Sequence, residues 1–130
     1  MTTENNNFLK LEEIIFENIR ATIFHNDTFK NFQTGIIFKA ESSNFNTISS
    51  QALSFYFVKL MNININRLSD KICYLVSQSI KFTNDIDYNK FFISKSEITK
   101  KTKNLVFLKT HFLYNDSHVI AFSNSIWKIN

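Results

Sequence analysis

Residues 44–64 read NFNTISSQALSFYFVKLMNIN, and how this segment is read decides the fold. Eight of the ten residues from Ala52 to Met61 are apolar, with Ser54 and Lys59 the exceptions. The chain contains no proline to break it. The segment predicts a long helix over about 47–62, capped by Asn46 or Thr47, whose side chains can accept an otherwise orphan backbone N–H. A helix lying on a surface carries one apolar stripe and one polar face. This one is apolar on most sides, so it is expected to be central, with the rest of the chain wrapped around it. The Asn-Ile-Asn-Ile-Asn run at 62–66 is expected to end it.

Downstream, everything reads as strand. Ile72, Tyr74, Val76, Gln78, Ile80 and Phe82 alternate with Cys73, Leu75, Ser77, Ser79 and Lys81, the two-residue period of a strand. A loop at 83–89 leads to a second strand over 91–100. A Lys-Thr-Lys-Asn turn then joins it to a third over 105–114. Asn115, Asp116 and Ser117 form the next hairpin turn, before a last strand over 118–129. Upstream, the only glycine, Gly35, opens a strand at 36–41. Further back, Phe8, Leu11, Ile15, Ile19 and Ile23 recur at three- and four-residue intervals, with Glu12, Glu13 and Glu17 between them. That spacing predicts an amphipathic N-terminal helix over 8–24, preceded by a disordered polar stretch at 1–7.

The 130 residues make one domain, 1–130, able to bury a core of its own. The formal net charge is +4 and the pI about 9.2. The lysines are scattered along the chain, and the one dense run, Lys100, Lys101 and Lys103, falls in a hairpin turn; no nucleic acid is expected as a partner. Cys73 is the sole cysteine, which excludes an internal disulfide and any Cys-based metal spacing, and its apolar neighbours predict a buried thiol. A single glycine leaves no phosphate-cradling loop. No metal or cofactor is expected. The N-terminus lacks a signal-peptide layout, and no apolar run reaches the ~18 residues of a membrane span, so the expected location is the cytoplasm, with no membrane partner.

The order of strand, long apolar helix and alternating strands resembles the hotdog fold, an α+β architecture in which an antiparallel sheet, here of about five strands, wraps one central helix. The closing segments SQSIKF and FFISKSEITKKTKNLVFLKTHFLYNDSHVIAFSNSIWKI resemble the last strands of hotdog thioesterases. Upstream, IIFKAESSNFN followed by TISSQALSFYF is similar to the strand-to-helix junction of thioesterase domains bearing Asn-x-Asn and Thr-x-Phe-Gly-Gly-Ser motifs. Asn44 and Asn46 match the first motif, and Thr47, Ile48, Ser49, Ser50 and Gln51 stand in place of the second. Both of its glycines are replaced by serine, and its aromatic by Ile48. The Asp, Glu or His that such enzymes carry on or before this helix is absent between Asn44 and Met61.

The resemblance implies an acyl thioester of coenzyme A or acyl carrier protein as ligand, a homodimer or tetramer, and pairing of subunits through the strand after the helix. Asn46 would orient water or substrate as the catalytic residue. Asn44 and the helix-start amides of Ser49, Ser50 and Gln51 would bind the substrate, and Lys101 and Lys103 the phosphates of coenzyme A. Residue by residue, ordinary roles compete with these. Capping and turn formation account for the asparagines, and Glu41, the nearest carboxylate before the helix, suits an exposed strand end. His25 and His118 suit exposed loops, His111 a core or interface position. Asp85 and Asp87 lie in the loop that borders the pocket in this fold. A catalytically silent hotdog domain that binds an acyl chain or a protein is the rival reading, favoured by the missing carboxylate.

Overall fold

The computed structural model describes residues 8–26, 33–40, 48–69, 71–84, 86–115 and 117–129. Among these residues, seven strands form one antiparallel sheet around a single helix: β1 (Leu9–Phe16), β2 (Ile19–Asn26), β3 (Gln33–Ala40), α1 (Ser50–Leu68), β4 (Cys73–Phe82), β5 (Phe91–Lys101), β6 (Leu105–Tyr114) and β7 (His118–Ile129). The sheet order is β1-β2-β3-β5-β6-β7-β4, so the strand that follows the helix crosses over to the far edge. This is the hotdog arrangement the sequence resembles, with seven strands in place of five.

The N-terminal helix expected over 8–24 is a β-hairpin. Glu17 and Asn18 both take left-handed backbone angles, φ 52° and 65°, as the two-residue turn matched to strand twist requires. On β2 the buried apolar residues are Ile19, Ala21 and Ile23, a period of two, while Leu11 and Ile15 of β1 are exposed. The three- and four-residue spacing arose because both faces of this hairpin carry apolar side chains. The β1–β2 register slips by one residue between Lys10 and Glu12.

Helix α1 starts and ends later than 47–62. Ser49 is its N-cap, accepting a hydrogen bond from the Ala52 amide at 3.1 Å; Asn46 and Thr47 lie outside the described residues, as does the stretch 1–7. The asparagine run does not stop the helix, because Asn64 is buried with partners of its own. Its Nδ2 donates to Ser94 Oγ and Ser96 Oγ, each at 2.9 Å. Ser94 in turn bonds Thr34, and Ser96 bonds Thr110 at 2.8 Å, so a row of hydroxyls links β3, β5 and β6 beneath the helix.

The core lies between α1 and the concave face of the sheet. Ala52, Leu53, Tyr56, Phe57, Leu60, Met61 and Ile65 are the buried apolar residues of the helix. Phe57 stacks on Phe112 with ring centroids 3.8 Å apart, and the Tyr56 hydroxyl donates to Ile19 O at 2.7 Å and Ile14 O at 3.1 Å, tying α1 to the hairpin. Phe55, on the other side of α1, is 39% exposed. The helix is therefore wrapped on three sides, and its fourth faces the gap between the sheet's two free edges, β1 and β4. No helix is long and apolar enough to cross a membrane among the described residues.

Candidate functional site

At the start of α1, Leu53 N donates to Ser49 O at 3.0 Å and Ala52 N to Ser49 Oγ. The amides of Ser50 and Gln51 meet no acceptor among the described residues, so the helix presents two N–H groups together with the positive end of its dipole. The first turn contains no acidic residue. A carboxylate nevertheless arrives from elsewhere: the Ser49 hydroxyl donates to Glu17 Oε2 at 3.3 Å. Glu17 occupies the β1–β2 turn in a left-handed conformation that costs a side-chain-bearing residue about 1–2 kcal/mol. A helix over 8–24 would not bring Glu17 here; the hairpin turn does. The clue in the sequence was the polar pair Glu17-Asn18 between runs rich in Ile and Phe.

Beside this point runs a groove of about 460 Å³ lined by Phe16, Gln51, Phe55, Val58, Lys59 and Gln78, among others. Phe16 stacks on Phe55 at 4.2 Å, and Lys59 pairs with Glu12 at 3.3 Å, which fixes the wall made by β1. The opposite wall is β4. The groove thus follows the outward side of α1, where the unusual apolarity of residues 52–61 is not consumed by the core.

A second cleft of similar volume, about 460 Å³, opens where the 83–90 loop passes the β6–β7 hairpin. Its floor is Phe92 and Ile120, and its rim carries Asn84, Asp87, Lys90, Tyr114 and His118. Lys90 Nζ lies 2.9 Å from Asp87 Oδ2 and 5.0 Å from the centre of the Tyr114 ring. The hydrogen bond and charge of Asp87 raise the Lys90 pKa, so the amine stays charged. This cleft can hold a small polar molecule against an apolar floor. Asp87 was a sequence candidate; Lys90 and Asn84 were not, because only the folded loop brings them to the hairpin.

Of the expected site residues, Ser49, Ser50 and Gln51 are together and exposed at the helix start. Asn44, Asn46, Glu41 and Asp85 lie outside the described residues. Lys101 and Lys103 sit at the β5–β6 hairpin. In one chain that hairpin is at the opposite end of the sheet from the helix start, since Ile37 of β3 pairs with Phe91 at the other end of β5. An eleven-residue strand spans about 35 Å. His111 is half-buried on the convex face, where it pairs in register with Lys95 and Phe122. Cys73 is buried, as expected. Among the described residues no three His, Cys, Asp or Glu side chains gather as metal ligands.

No family model matches the sequence, and no curated protein does. Solved structures with the same fold do. A hypothetical thioesterase protein with coenzyme A from Streptococcus pneumoniae TIGR4 superposes with a TM-score of 0.70 at 10% identity, covering 95% of this chain and 97% of that one. Zebrafish thioesterase superfamily member 2 gives 0.69 at 9% identity, covering 83% and 81%. The E. coli PaaI protein from the phenylacetic acid degradation operon gives 0.60 at 6% identity, covering 98% and 82%. At these identities the likeness is one of fold: the chain has the hotdog fold of thioesterase superfamily proteins.

Proposed function

We propose that this chain binds acyl thioesters of coenzyme A or acyl carrier protein and hydrolyses them at the start of α1. One observation carries this reading: two amides with no acceptor among the described residues, a carboxylate and the mouth of an apolar groove meet at the helix N-terminus. The thioester carbonyl oxygen rests on the Ser50 and Gln51 N–H groups, with the acyl chain along Phe16, Phe55 and Val58. Glu17, held by Ser49, takes a proton from water as the water oxygen attacks the carbonyl carbon. The oxyanion that forms is stabilised by the two amides and the helix dipole. Its collapse breaks the C–S bond, releasing a carboxylic acid and a thiolate, which takes up the proton that Glu17 removed from water and so restores the carboxylate. Asn46 keeps its assignment as the residue that orients water or substrate, and Asn44 as a substrate contact.

The coenzyme A bound to the pneumococcal protein supports the ligand class. A homodimer through β4 is part of the proposal. Among the described residues that strand pairs with β7 alone and is exposed on both faces, a surface that proteins rarely leave open. With the helix start and the β5–β6 hairpin at opposite ends of one chain, contact of Lys101 and Lys103 with coenzyme A phosphates requires the second copy.

The test is thiol release from short-, medium- and long-chain acyl-CoAs, with thermal shift on the same panel. Turnover is expected, and Glu17→Gln should lower it about 100-fold or more while leaving the melting temperature unchanged. Stabilisation without turnover supports the second reading, a silent acyl-binding domain, which is favoured by the lack of any ionisable group except Lys59 along the groove. No response to any acyl-CoA or acyl carrier protein refutes both.

A further inference from the structure

Lysines that look scattered in the sequence are gathered by the sheet. Alternation sends every second residue to one face, and the register lines these residues up across strands. On the convex face of β5, β6, β7 and β4, Lys95, His111, Phe122 and Lys81 form one cross-strand row. Lys100 and Phe107 stand side by side in another, with Lys109 between the two rows. Lys128 lies next to Tyr74 beyond them. Five lysines thus share this half of the face with one carboxylate, Glu97, while Lys10, Glu13, Arg20 and Lys39 lie on its β1–β3 half. The surplus of four positive charges equals the net charge of the whole chain, so the rest of the protein is balanced. Among the described residues, Lys81, Lys100, Lys109 and Lys128 form no ion pair. Two of the four lie over rings: Lys81 over Phe122 at 6.0 Å and Lys100 over Phe107 at 5.7 Å.

We infer that the half of the convex face formed by β5, β6, β7 and β4 binds single-stranded nucleic acid, with its lysines on the phosphates and Tyr74, Phe107 and Phe122 as platforms for bases. Basic groups interleaved with ring faces on an open surface are what an unpaired strand requires, since each base has a face to stack. A broad sheet does not enter a duplex groove only ~12 Å wide. A second copy of the same face would set five lysines against five. A lipid surface calls for protruding apolar anchors, whereas Phe107 and Phe122 are half-buried, and Tyr74 is the one strongly exposed apolar side chain assigned to this face.

The experiment is fluorescence anisotropy of labelled 20-nucleotide oligo(dT) and oligo(U) with the full chain, at 50 and 200 mM salt. Contact with four phosphates should weaken binding about 50-fold between the two salts. Lys109→Glu with Lys128→Glu should cost at least tenfold. Lys10→Glu with Lys39→Glu, the same change of charge on β1 and β3, should cost less than twofold. Tyr74→Ala should cost about fivefold or more. All five side chains are exposed, and melting temperatures are measured beside the affinities. Equal losses from the two charge-reversed pairs, no effect of Tyr74→Ala, or binding to phosphatidylserine vesicles but not to either oligonucleotide would overturn the inference.

Discussion

Replacing Asn64 by alanine tests the interior of the sheet most directly. Asn64 is fully buried in the C-terminal half of α1 and donates two hydrogen bonds, to Ser94 and Ser96. Each is worth about 1 kcal/mol net, and the void left by the lost carboxamide adds about 1–2 kcal/mol. Against this, Asn64 Oδ1 has no partner among the described residues, and removing a buried unsatisfied acceptor returns about 1 kcal/mol. Ser94 and Ser96 are not orphaned, because Thr34 and Thr110 still bond them. The expected net loss is therefore about 2–3 kcal/mol. With an unfolding entropy of about 2.1 cal/mol/K per residue over 130 residues, that is a fall of roughly 7–11 °C in melting temperature. Thermal denaturation followed by circular dichroism reads it, with Asn62→Ala as the control, since the Asn62 carboxamide accepts from its helix neighbour Asn66 near the surface. A drop below about 4 °C, or one no larger than the control's, would refute the account of Asn64 as the link between helix and sheet.

Three other outcomes are expected. Burial pushes the Tyr56 hydroxyl up to about 12 from an ordinary 10.0, so its contribution is complete below pH 10 and fades as pH rises through 12; melting temperature should fall over that window in the parent and stay flatter in Tyr56→Phe, and parallel curves would be wrong for this tyrosine. Gly35→Ala drives a Cβ into the Phe91 ring, which is edged by Phe8 and Phe24, and should cost about 1–3 kcal/mol in urea unfolding; a neutral effect would mean that the ring swings aside freely. Val76, 58% exposed on β4, should be replaceable by lysine without loss of monomer stability, yet Val76→Lys should convert a dimer to a monomer in sedimentation; unchanged sedimentation would exclude pairing through this edge.

The C-terminal half of the fold was readable because its strands alternate and are separated by polar turns; strands β6 and β7 begin and end where alternation does. The N-terminal hairpin was not, since Leu11 and Ile15 point outward while Ile19 and Ile23 point inward, and a chain apolar on both faces imitates a helical stripe. Helix α1 could be recognised from residues 52–61, but its end could not, because the value of Asn64 inside a helix depends on hydroxyls some thirty residues away. The same separation governs the site. Residues 49–51 were legible as a helix start, whereas Glu17 reaches them only through a turn whose flanking residues carry a helical spacing. Charge followed this pattern too: the convex lysines are neighbours in register and strangers in sequence.

Among the described residues strand β4 has a single partner in the sheet, and that partner is β7. During synthesis, Phe82 leaves the ribosome about 45 residues before Ile129, which at 5–20 residues per second is a wait of roughly 2–9 s. Throughout that interval Tyr74, Leu75 and Val76 are exposed with neither edge of their strand engaged. Ser77, Gln78, Ser79 and Lys81 follow directly, polar residues that interrupt the apolar run and lower its tendency to pair with a neighbouring nascent chain. The crossover that closes the sheet therefore makes solubility during translation depend on the polar half of β4, and replacements there should reduce expression yield more than they reduce the stability of the finished protein.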